Sequence, residues 1–524
     1  MNRVATATAE PPEPRTRTAR PRPVLHPFLF TIFPIVFLVA RNPTDDIGLA
    51  DVLWPLGIAL GVTAFVFAGL WIIFGDPHPA GFLTTGLSLL FFTFGHVDHL
   101  RDPNGFDPAA RGLFAAYLLL TVTLILLTIR MRRRLVRITP GMNLIAGVLV
   151  LLNVVPLVVA GPRGGSGVVG ADVHLTAPDD PRDVYYIIFD RYADEITLRE
   201  RYDYDNTPFL NSLTARGFDV VTDAVANYPK TAHSLASSLN MSFLDQLVAE
   251  QGAGSGNWQP IFQSMQDFRV ARALESIGYT YDHVGSWWTP TREDPTADRN
   301  YVYGRGEFTQ TLLDTTIWPA MSGIGSAEEG DPWLAQYRRV VYQFEALEEI
   351  AADPDPTFTF AHFTLPHPPY VFDAQGNYVT PDQWKGGPDD AYLDQLTYTN
   401  ARMQVMIDAL LAGPDESDPI LVIQSDEGPH PVRLEADEDS YEWPDATDDE
   451  LGGKFRILDA MYLPGEASDA ELGSFTPVNT FRIIFDRYFG ADLPLLPDRS
   501  WIFQDSTHPY RMTEITDRLA SLQA

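Results

Sequence analysis

The sequence predicts an α/β fold in which a bundle of about five transmembrane helices precedes a domain with a largely parallel central sheet. Five apolar stretches crowd the first 160 residues, near 27–40, 52–74, 80–96, 112–130 and 142–160. Two later runs of β-branched and aromatic residues, 184–189 and 419–424, have the composition of buried central strands. Strand patterns then alternate with helical patterns, which is typical of a parallel sheet.

Composition excludes several classes of function. The 524-residue chain has a formal net charge of −32 and no cysteine. An acidic chain lacks the basic face that a phosphate backbone requires, so we expect no nucleic-acid partner. Without cysteine there are no disulfides, no thiolate ligands and no cysteine nucleophile.

The N-terminal part predicts a multi-pass membrane protein. Residues 1–25 lack apolar periodicity and are expected to form a disordered cytoplasmic tail, followed by a transmembrane domain over 26–160. The second, fourth and fifth stretches reach the roughly 20 residues that a bilayer requires, whereas the first and third are shorter. Five arginines lie between Arg3 and Arg22 and five between Arg130 and Arg137, and both groups are expected to face the cytoplasm. Five spans that start inside end outside, so the rest of the chain is predicted to be extracytoplasmic.

A Gly/Pro-rich linker is predicted over residues 161–182, and the catalytic domain over 183–524. Within that domain the segment 255–300 has an irregular, aromatic pattern. The other predicted elements are strands at 184–189, 218–221, 357–363 and 419–424 and helices near 205–216, 333–351 and 392–412.

Acidic residues follow two of the predicted central strands. Asp190 ends the first, and Asp426 and Glu427 follow the last. A single acid at a strand end is an ordinary cap, but two acidic ends in one sheet can converge on a divalent cation. All of these candidate ligands are oxygen donors, which favours Mn²⁺ or Mg²⁺ over Zn²⁺.

Two further segments carry groups suited to chemistry. Thr231 and Ser234 open an apolar helix, where either can be its N-cap or a nucleophile. His367 lies between prolines that stiffen its loop, and it can bind a phosphoryl oxygen or protonate a leaving group. His362, on the preceding strand, is interpreted as a core histidine.

The order of several segments along the chain resembles one family. These segments are five apolar spans, then Tyr-Tyr-Ile-Ile-Phe-Asp190, Asn-Tyr-Pro-Lys-Thr231, Leu-Pro-His367-Pro-Pro-Tyr and Gln-Ser-Asp426-Glu427-Gly. The family is the membrane-anchored sulfatase-like branch of the alkaline phosphatase superfamily, which includes lipoteichoic acid synthases and phosphoethanolamine transferases. The resemblance implies an alkaline-phosphatase-like domain with one divalent cation bound by Asp190, Thr231, Asp426 and the next residue. That residue is Glu427, where the family usually has histidine. The change leaves the metal identity open, and an inactive relative remains an alternative.

The resemblance also implies the reaction. Formylglycine sulfatases mature a Cys or Ser in a C/S-x-P-x-R motif, which is absent here, so phosphoryl chemistry is favoured over sulfate ester hydrolysis. The expected activity is transfer of a phosphoglycerol- or phosphoethanolamine-type headgroup from a membrane lipid donor to an envelope glycan or lipid acceptor, through a covalent intermediate on Thr231. The alternatives are a phosphodiesterase or phosphatase and a non-catalytic envelope-assembly protein. Residues expected to bind substrate are Lys230, His283, Trp287, Arg292 and His430, although the aromatic segment among them can equally pack under a long loop.

Overall fold

The computed structural model describes residues 23–41, 49–101, 110–159, 173–304, 306–322, 331–412, 418–438, 440–465 and 474–523. Most of the predicted cytoplasmic tail and half of the predicted linker lie outside these residues. The chain divides into two compact units, one built mainly from residues 56–155 and one that contains everything from Pro156 onward.

The first unit is helical and apolar, as a membrane protein requires. Its helices are α1 (His26–Arg41), α2 (Leu49–Phe74), α3 (Pro77–Arg101), α4 (Ala110–Met131) and α5 (Leu135–Val159). Among the described residues, the last four are long and apolar enough to cross a membrane, whereas α1 has only 16 residues. Helix α3 is longer than its apolar stretch predicts, because it continues through His96 and His99. Large apolar side chains such as Phe65 and Ile72 are exposed, which suits contact with lipid.

The second unit is an α/β domain around a seven-stranded sheet. Its strands are β1 (Val184–Phe189), β2 (Asp219–Val220), β3 (Thr280–Val284), β4 (Arg299–Tyr301), β5 (Thr357–Phe363), β6 (Ile420–Gln424) and β7 (Asp459–Tyr462). They lie in the order β2-β7-β6-β1-β5-β3-β4. Strand β1 is central and parallel to both β5 and β6, and only β7 and β2 run antiparallel to their neighbours. The predicted largely parallel sheet is therefore confirmed.

Helices surround this sheet, and a small hairpin lies near the C-terminus. The hairpin pairs β8 (Trp501–Phe503) with β9 (Met512–Glu514). The helices are α6 (Glu195–Tyr202), α7 (Thr207–Thr214), α8 (Thr231–Ser238), α9 (Asp245–Gln251), α10 (Gln259–Gln263), α11 (Arg269–Glu275), α12 (Glu307–Asp314), α13 (Trp318–Ser322), α14 (Pro332–Ile350), α15 (Pro388–Leu410), α16 (Val432–Ala436), α17 (Asp448–Phe455), α18 (Thr480–Phe489) and α19 (Thr516–Gln523).

Alternate residues of the central strand β1 are buried on opposite faces of the sheet. In β1 the even-numbered residues, including Ile188, pack in one core together with Ala232 and Leu235 of α8. The odd-numbered residues, including Phe189, pack in a second core on the opposite face. Because side chains alternate along a strand, residue parity decides which core a strand residue joins.

The segment 255–300 is more regular than its sequence predicts, since it contains α10, α11, β3 and β4. The residue pattern does not predict β3 as a strand, because two of its five residues, Asp282 and His283, are polar although they are buried. The Asp282 carboxylate is matched by Arg299 of β4, whose Nε and Nη2 each lie 2.6 Å from a carboxylate oxygen. A charged pair thus replaces the apolar pattern that would have marked a strand.

Candidate active site

Three neighbouring strands bring two acids and a histidine together. Asp190 follows β1, His362 lies in β5, and Asp426 follows β6. Each offers one ligand atom, and these atoms all lie within 4.8 Å of one another. We call these three residues the acid–histidine cluster. All three are buried.

Strand register explains why these residues meet. His362 is paired with Ile188, and Gln424 is paired with Ile188 from the other side. Paired residues of parallel strands point to the same face, and residues two apart do so as well. Asp190 and Asp426 each lie two residues beyond this paired row, so both share the face of His362. This is also the face that α8 covers.

The cluster contains buried polar atoms that the described residues leave without hydrogen-bond partners. They are Oδ1 of Asp190, both carboxylate oxygens of Asp426 and Nε2 of His362. Nε2 of His362 lies 3.8 Å from Oδ2 of Asp190, which is too long for a hydrogen bond. Buried polar atoms are costly without a partner, and four of them converging on one point fit a divalent cation.

The electrostatics of the cluster lead to the same conclusion. Burial, and then the charges of Asp426 and Glu427, raise the pKa of Asp190 well above its usual range. Burial and Glu427 raise the pKa of Asp426 to about 7. Burial lowers the pKa of His362 to about 3, so its ring is neutral and keeps a lone pair for a metal. Two carboxyl groups held together in a dry site are both ionised near neutral pH only when a positive charge lies beside them.

His362 differs from the satisfied core histidine expected from the sequence. It is buried as expected, but only one ring nitrogen is satisfied: Nδ1 lies 2.7 Å from the Thr291 hydroxyl. Such a contact at one nitrogen orients the ring and leaves the other for a ligand, as metal-binding histidines commonly show. The sequence does show that His362 lies near the carboxyl end of a predicted strand. Which residues it meets across the sheet depends on strand register, and only the structure shows that register.

The structure does not bring Glu427 into the cluster. Its Oε1 lies 2.7 Å from Nζ of the fully buried Lys454, 3.4 Å from Nε2 of His430 and 3.5 Å from Nε of Arg191. Glu427 lies beyond the end of β6, next to Asp426, and its Oε2 is buried without a hydrogen-bond partner among the described residues. The negative charge of Glu427 is offset mainly by Lys454, which the sequence did not single out. Burial lowers the pKa of Lys454 to about 8, against the opposing effect of Glu427.

Thr231 is the first residue of α8, and its hydroxyl has no capping role. The N-cap is Lys230, whose side chain makes no capping hydrogen bond. The other candidate, Ser234, donates its hydroxyl to the Tyr228 carbonyl at 2.9 Å. The Thr231 side chain approaches Asp426 closely enough to lower the pKa of that carboxyl group, although neither Asp426 oxygen accepts a hydrogen bond of ordinary geometry. Of the two hydroxyls, only that of Thr231 is therefore available at the cluster.

His367 lies at the edge of the cluster. Its Nε2 is 4.0 Å from Oδ2 of Asp190, and its backbone N–H donates to the Asp190 carbonyl at 3.2 Å. Nδ1 contacts the carbonyl of Pro368, which can only accept, so this contact favours the tautomer with the proton on Nδ1 and the lone pair on Nε2. Burial and then Arg191 keep the pKa of His367 well below its usual range. The ring of Trp287 lies 6.4 Å from the His367 ring, between centroids.

The remaining predicted substrate residues divide between a pocket and the core. Lys230 and His430 line a small pocket with Glu438 and the aromatic side chains of Tyr441, Trp443 and Phe503. Within it, Lys230 pairs with Glu438 and lies over the Trp258 ring. His283 is buried, with Nε2 2.9 Å from the Thr291 carbonyl and Nδ1 3.3 Å from the Tyr281 hydroxyl. Arg292 contacts Glu293 and the Gly304 carbonyl. The structure therefore does not place a free polar group of His283 at the site.

Comparison with known proteins identifies the family. Residues 182–465, more than half of the chain, match the sulfatase family model. None of the curated proteins compared with the chain matches it. Among solved structures, the C-terminal periplasmic domain of EcEptC from Escherichia coli, in complex with Zn, is 14% identical and aligns over 66% of this chain and 96% of its own, with a TM-score of 0.43. The integral membrane lipooligosaccharide phosphoethanolamine transferase A (EptA) from Neisseria meningitidis is 11% identical and aligns over 89% and 94%, with a TM-score of 0.41.

Proposed function

The chain belongs to the sulfatase family of enzymes, and from that premise we propose that it transfers a phosphoryl-linked headgroup from a membrane lipid to a cell-envelope glycan or lipid. The observation that carries the proposal is the Thr231 hydroxyl, which has no capping role and lies beside Asp426 of the acid–histidine cluster. Threonine cannot be converted to the aldehyde of formylglycine sulfatases. A hydroxyl at this position therefore favours direct attack on phosphorus.

The cluster would hold one divalent cation, with Asp190, His362, Asp426 and the Thr231 hydroxyl as its ligands. When bound, such an ion lowers the pKa of a coordinated hydroxyl and neutralises charge on a phosphoryl group. The sequence favours Mn²⁺ or Mg²⁺ because all of its candidate ligands are oxygen donors. An imidazole from His362 removes that reason to place Zn²⁺ second, because nitrogen ligands suit Zn²⁺ well.

The chain's own residues account for the bonds made and broken. Oγ1 of Thr231 bonds to phosphorus, the bond from phosphorus to the lipid oxygen breaks, and the threonine proton ends on the lipid alcohol. In the second half an acceptor hydroxyl attacks phosphorus, the bond to Thr231 breaks, and the acceptor proton returns to Thr231. We assign the relay of that proton to Nε2 of His367, which lies at the edge of the cluster, 4.0 Å from Oδ2 of Asp190.

The membrane helices are the reason to expect a lipid donor. An enzyme held on a bilayer meets lipid headgroups at high local concentration, which suits a reaction that starts from one. We propose that the basic segments before α1 and around 130–137 are cytoplasmic and that the domain from residue 183 faces outward. The pocket lined by Lys230, His430 and Glu438 would then receive the headgroup or the acceptor.

The reaction is tested by the fate of the headgroup. Purified full-length protein, reconstituted with phosphatidylglycerol or phosphatidylethanolamine and envelope glycans, is expected to yield diacylglycerol together with a glycan or lipid that has gained the headgroup, both detected by mass spectrometry. Release of free glycerol phosphate or phosphoethanolamine without an acceptor product would show a phosphodiesterase. Failure to cleave any phosphodiester, with metal bound, would favour the non-catalytic alternative.

The ligand set is tested by metal content. His362→Gln is expected to lower the metal affinity of the purified protein by about tenfold or more, since it removes a ligand. His430→Gln is the matched control, because His430 is also buried near Glu427 but lies outside the cluster, and its metal content should equal that of the wild type. Elemental analysis after dialysis measures both. A protein that keeps its metal in His362→Gln but loses it in Glu427→Gln would show that Glu427 is the ligand instead.

A further inference from the structure

Arg191 has a guanidinium group that is largely buried without a hydrogen-bond partner. The residue follows Asp190 directly, and its side chain is only 13% exposed. Its Nε is buried and donates to no atom of the described residues. The nearest acceptor is Oε1 of Glu427, at 3.5 Å from Nε.

Glu427 is a distant and shared partner for Arg191, and its other carboxylate oxygen, Oε2, accepts from no atom of the described residues. Its Oε1 already has a closer partner in Lys454, at 2.7 Å, inside the fully buried part of the domain. Two other arginines among the described residues are better satisfied. Arg339 lies 2.7 Å from Oε1 of Gln336, and Arg299 makes two contacts of 2.6 Å with Asp282. Arg191 is thus held in place with its donors unused.

The backbone at Arg191 also has a conformation that its side chain disfavours. Its φ angle is +61°, in the left-handed region where glycine or asparagine is the usual residue. The turn is fixed from both sides, because the N–H of Tyr192 donates to the Ser425 hydroxyl at 3.0 Å and the N–H of Asp190 donates to the Phe363 carbonyl at 3.0 Å. Strained residues that persist in such a frame cluster at functional sites.

The unsatisfied atoms around the cluster fall into two groups of opposite character. Lone-pair atoms of Asp190, Asp426, His362 and Glu427 have no donor among the described residues. The N–H donors of Arg191 and Trp287 lack an acceptor, and the Trp287 ring lies beside His367, whose Nε2 is 4.0 Å from Asp190. A cation would satisfy the first group and an oxyanion the second.

We infer that Arg191 binds the non-bridging oxygens of the phosphoryl group that Thr231 attacks, so that the substrate must present an anionic tetrahedral ester group. This inference rests on the proposed function and adds the residue that would recognise the anion. A guanidinium suits that task because its planar N–H groups can grip two oxygens at once, whereas an ammonium acts as a single point of charge.

The test measures anion binding and metal content in full-length, metal-loaded protein, with inorganic phosphate as the probe and inorganic sulfate in parallel. Arg191→Lys keeps the positive charge but loses the planar set of N–H donors. Arg191→Gly removes the side chain and relieves the backbone strain of the positive φ angle. Both are expected to weaken phosphate binding by about tenfold or more, as loss of a charged hydrogen bond predicts. Metal content should not change. Arg199→Lys, an exposed arginine of α6 paired with Glu195, is the control and should bind phosphate as the wild type does.

The possible outcomes test the anion-binding role of Arg191 separately from the proposed phosphoryl reaction. Wild-type phosphate affinity in Arg191→Lys and Arg191→Gly would overturn the inference while leaving the phosphoryl reaction intact. Loss of metal together with phosphate would also overturn it, since Arg191 would then act only by holding Asp190 in place. A wild type that binds sulfate and not phosphate, with both variants weakened, would support the anion-binding role but remove the phosphoryl substrate. A wild type that binds neither anion would remove both.

Discussion

Thr231→Ala is expected to lower turnover by about 10⁴-fold or more, because the variant lacks the oxygen that bonds to phosphorus. The fold should be spared. The hydroxyl makes no capping bond, and Thr231 is only partly buried, so the free energy of unfolding should change by less than about 0.5 kcal/mol. Turnover is measured with the lipid donor, and mass spectrometry of the peptide that contains residue 231 reports the covalent intermediate in the wild type.

Two variants of the same helix serve as controls. Thr231→Ser keeps a hydroxyl at the position and should keep measurable turnover. Ser234→Ala, one turn further along α8, should retain turnover but cost about 1 kcal/mol of stability, because its buried hydroxyl donates to the Tyr228 carbonyl. Turnover of Thr231→Ala within tenfold of the wild type would eliminate the threonine intermediate.

Lys454→Met is expected to destabilise the second unit by about 3–5 kcal/mol, the usual cost of leaving a buried charge unpaired. Lys454 is 0% exposed and Glu427 is 2% exposed, so water cannot replace the lost ammonium. The Gly428 carbonyl, which accepts from Nζ of Lys454 at 2.9 Å, loses its donor as well. Denaturant unfolding followed by tryptophan fluorescence measures the change.

The matched control removes both charges. Lys454→Met with Glu427→Gln removes the buried carboxylate together with its closest cation, and most of the lost stability should return. Metal content should stay at the wild-type level in the double variant, since neither residue belongs to the acid–histidine cluster. A double variant as unstable as Lys454→Met alone would show that the pair itself does not carry the effect.

Much of the sheet was predictable because its central strands consist mostly of β-branched and aromatic residues. The runs at 184–189, 357–363 and 420–424 are buried along their whole length, so composition alone located them. Strand β3 was missed for the opposite reason. Its buried Asp282 carboxylate is paired with Arg299, which lies 17 residues further along the chain. A pattern among neighbouring residues does not reveal such a pair.

The sequence by itself determined that acids follow two buried strands, that Thr231 opens a helix, and that apolar helices precede the domain. These properties are local, and they follow from the composition of each segment. Only the tertiary structure decided that His362 joins the two aspartates while Glu427 pairs with Lys454. The physical reason is strand register: it sets which side chains share a face, and it brings residues that lie far apart in the sequence to the same edge of the sheet.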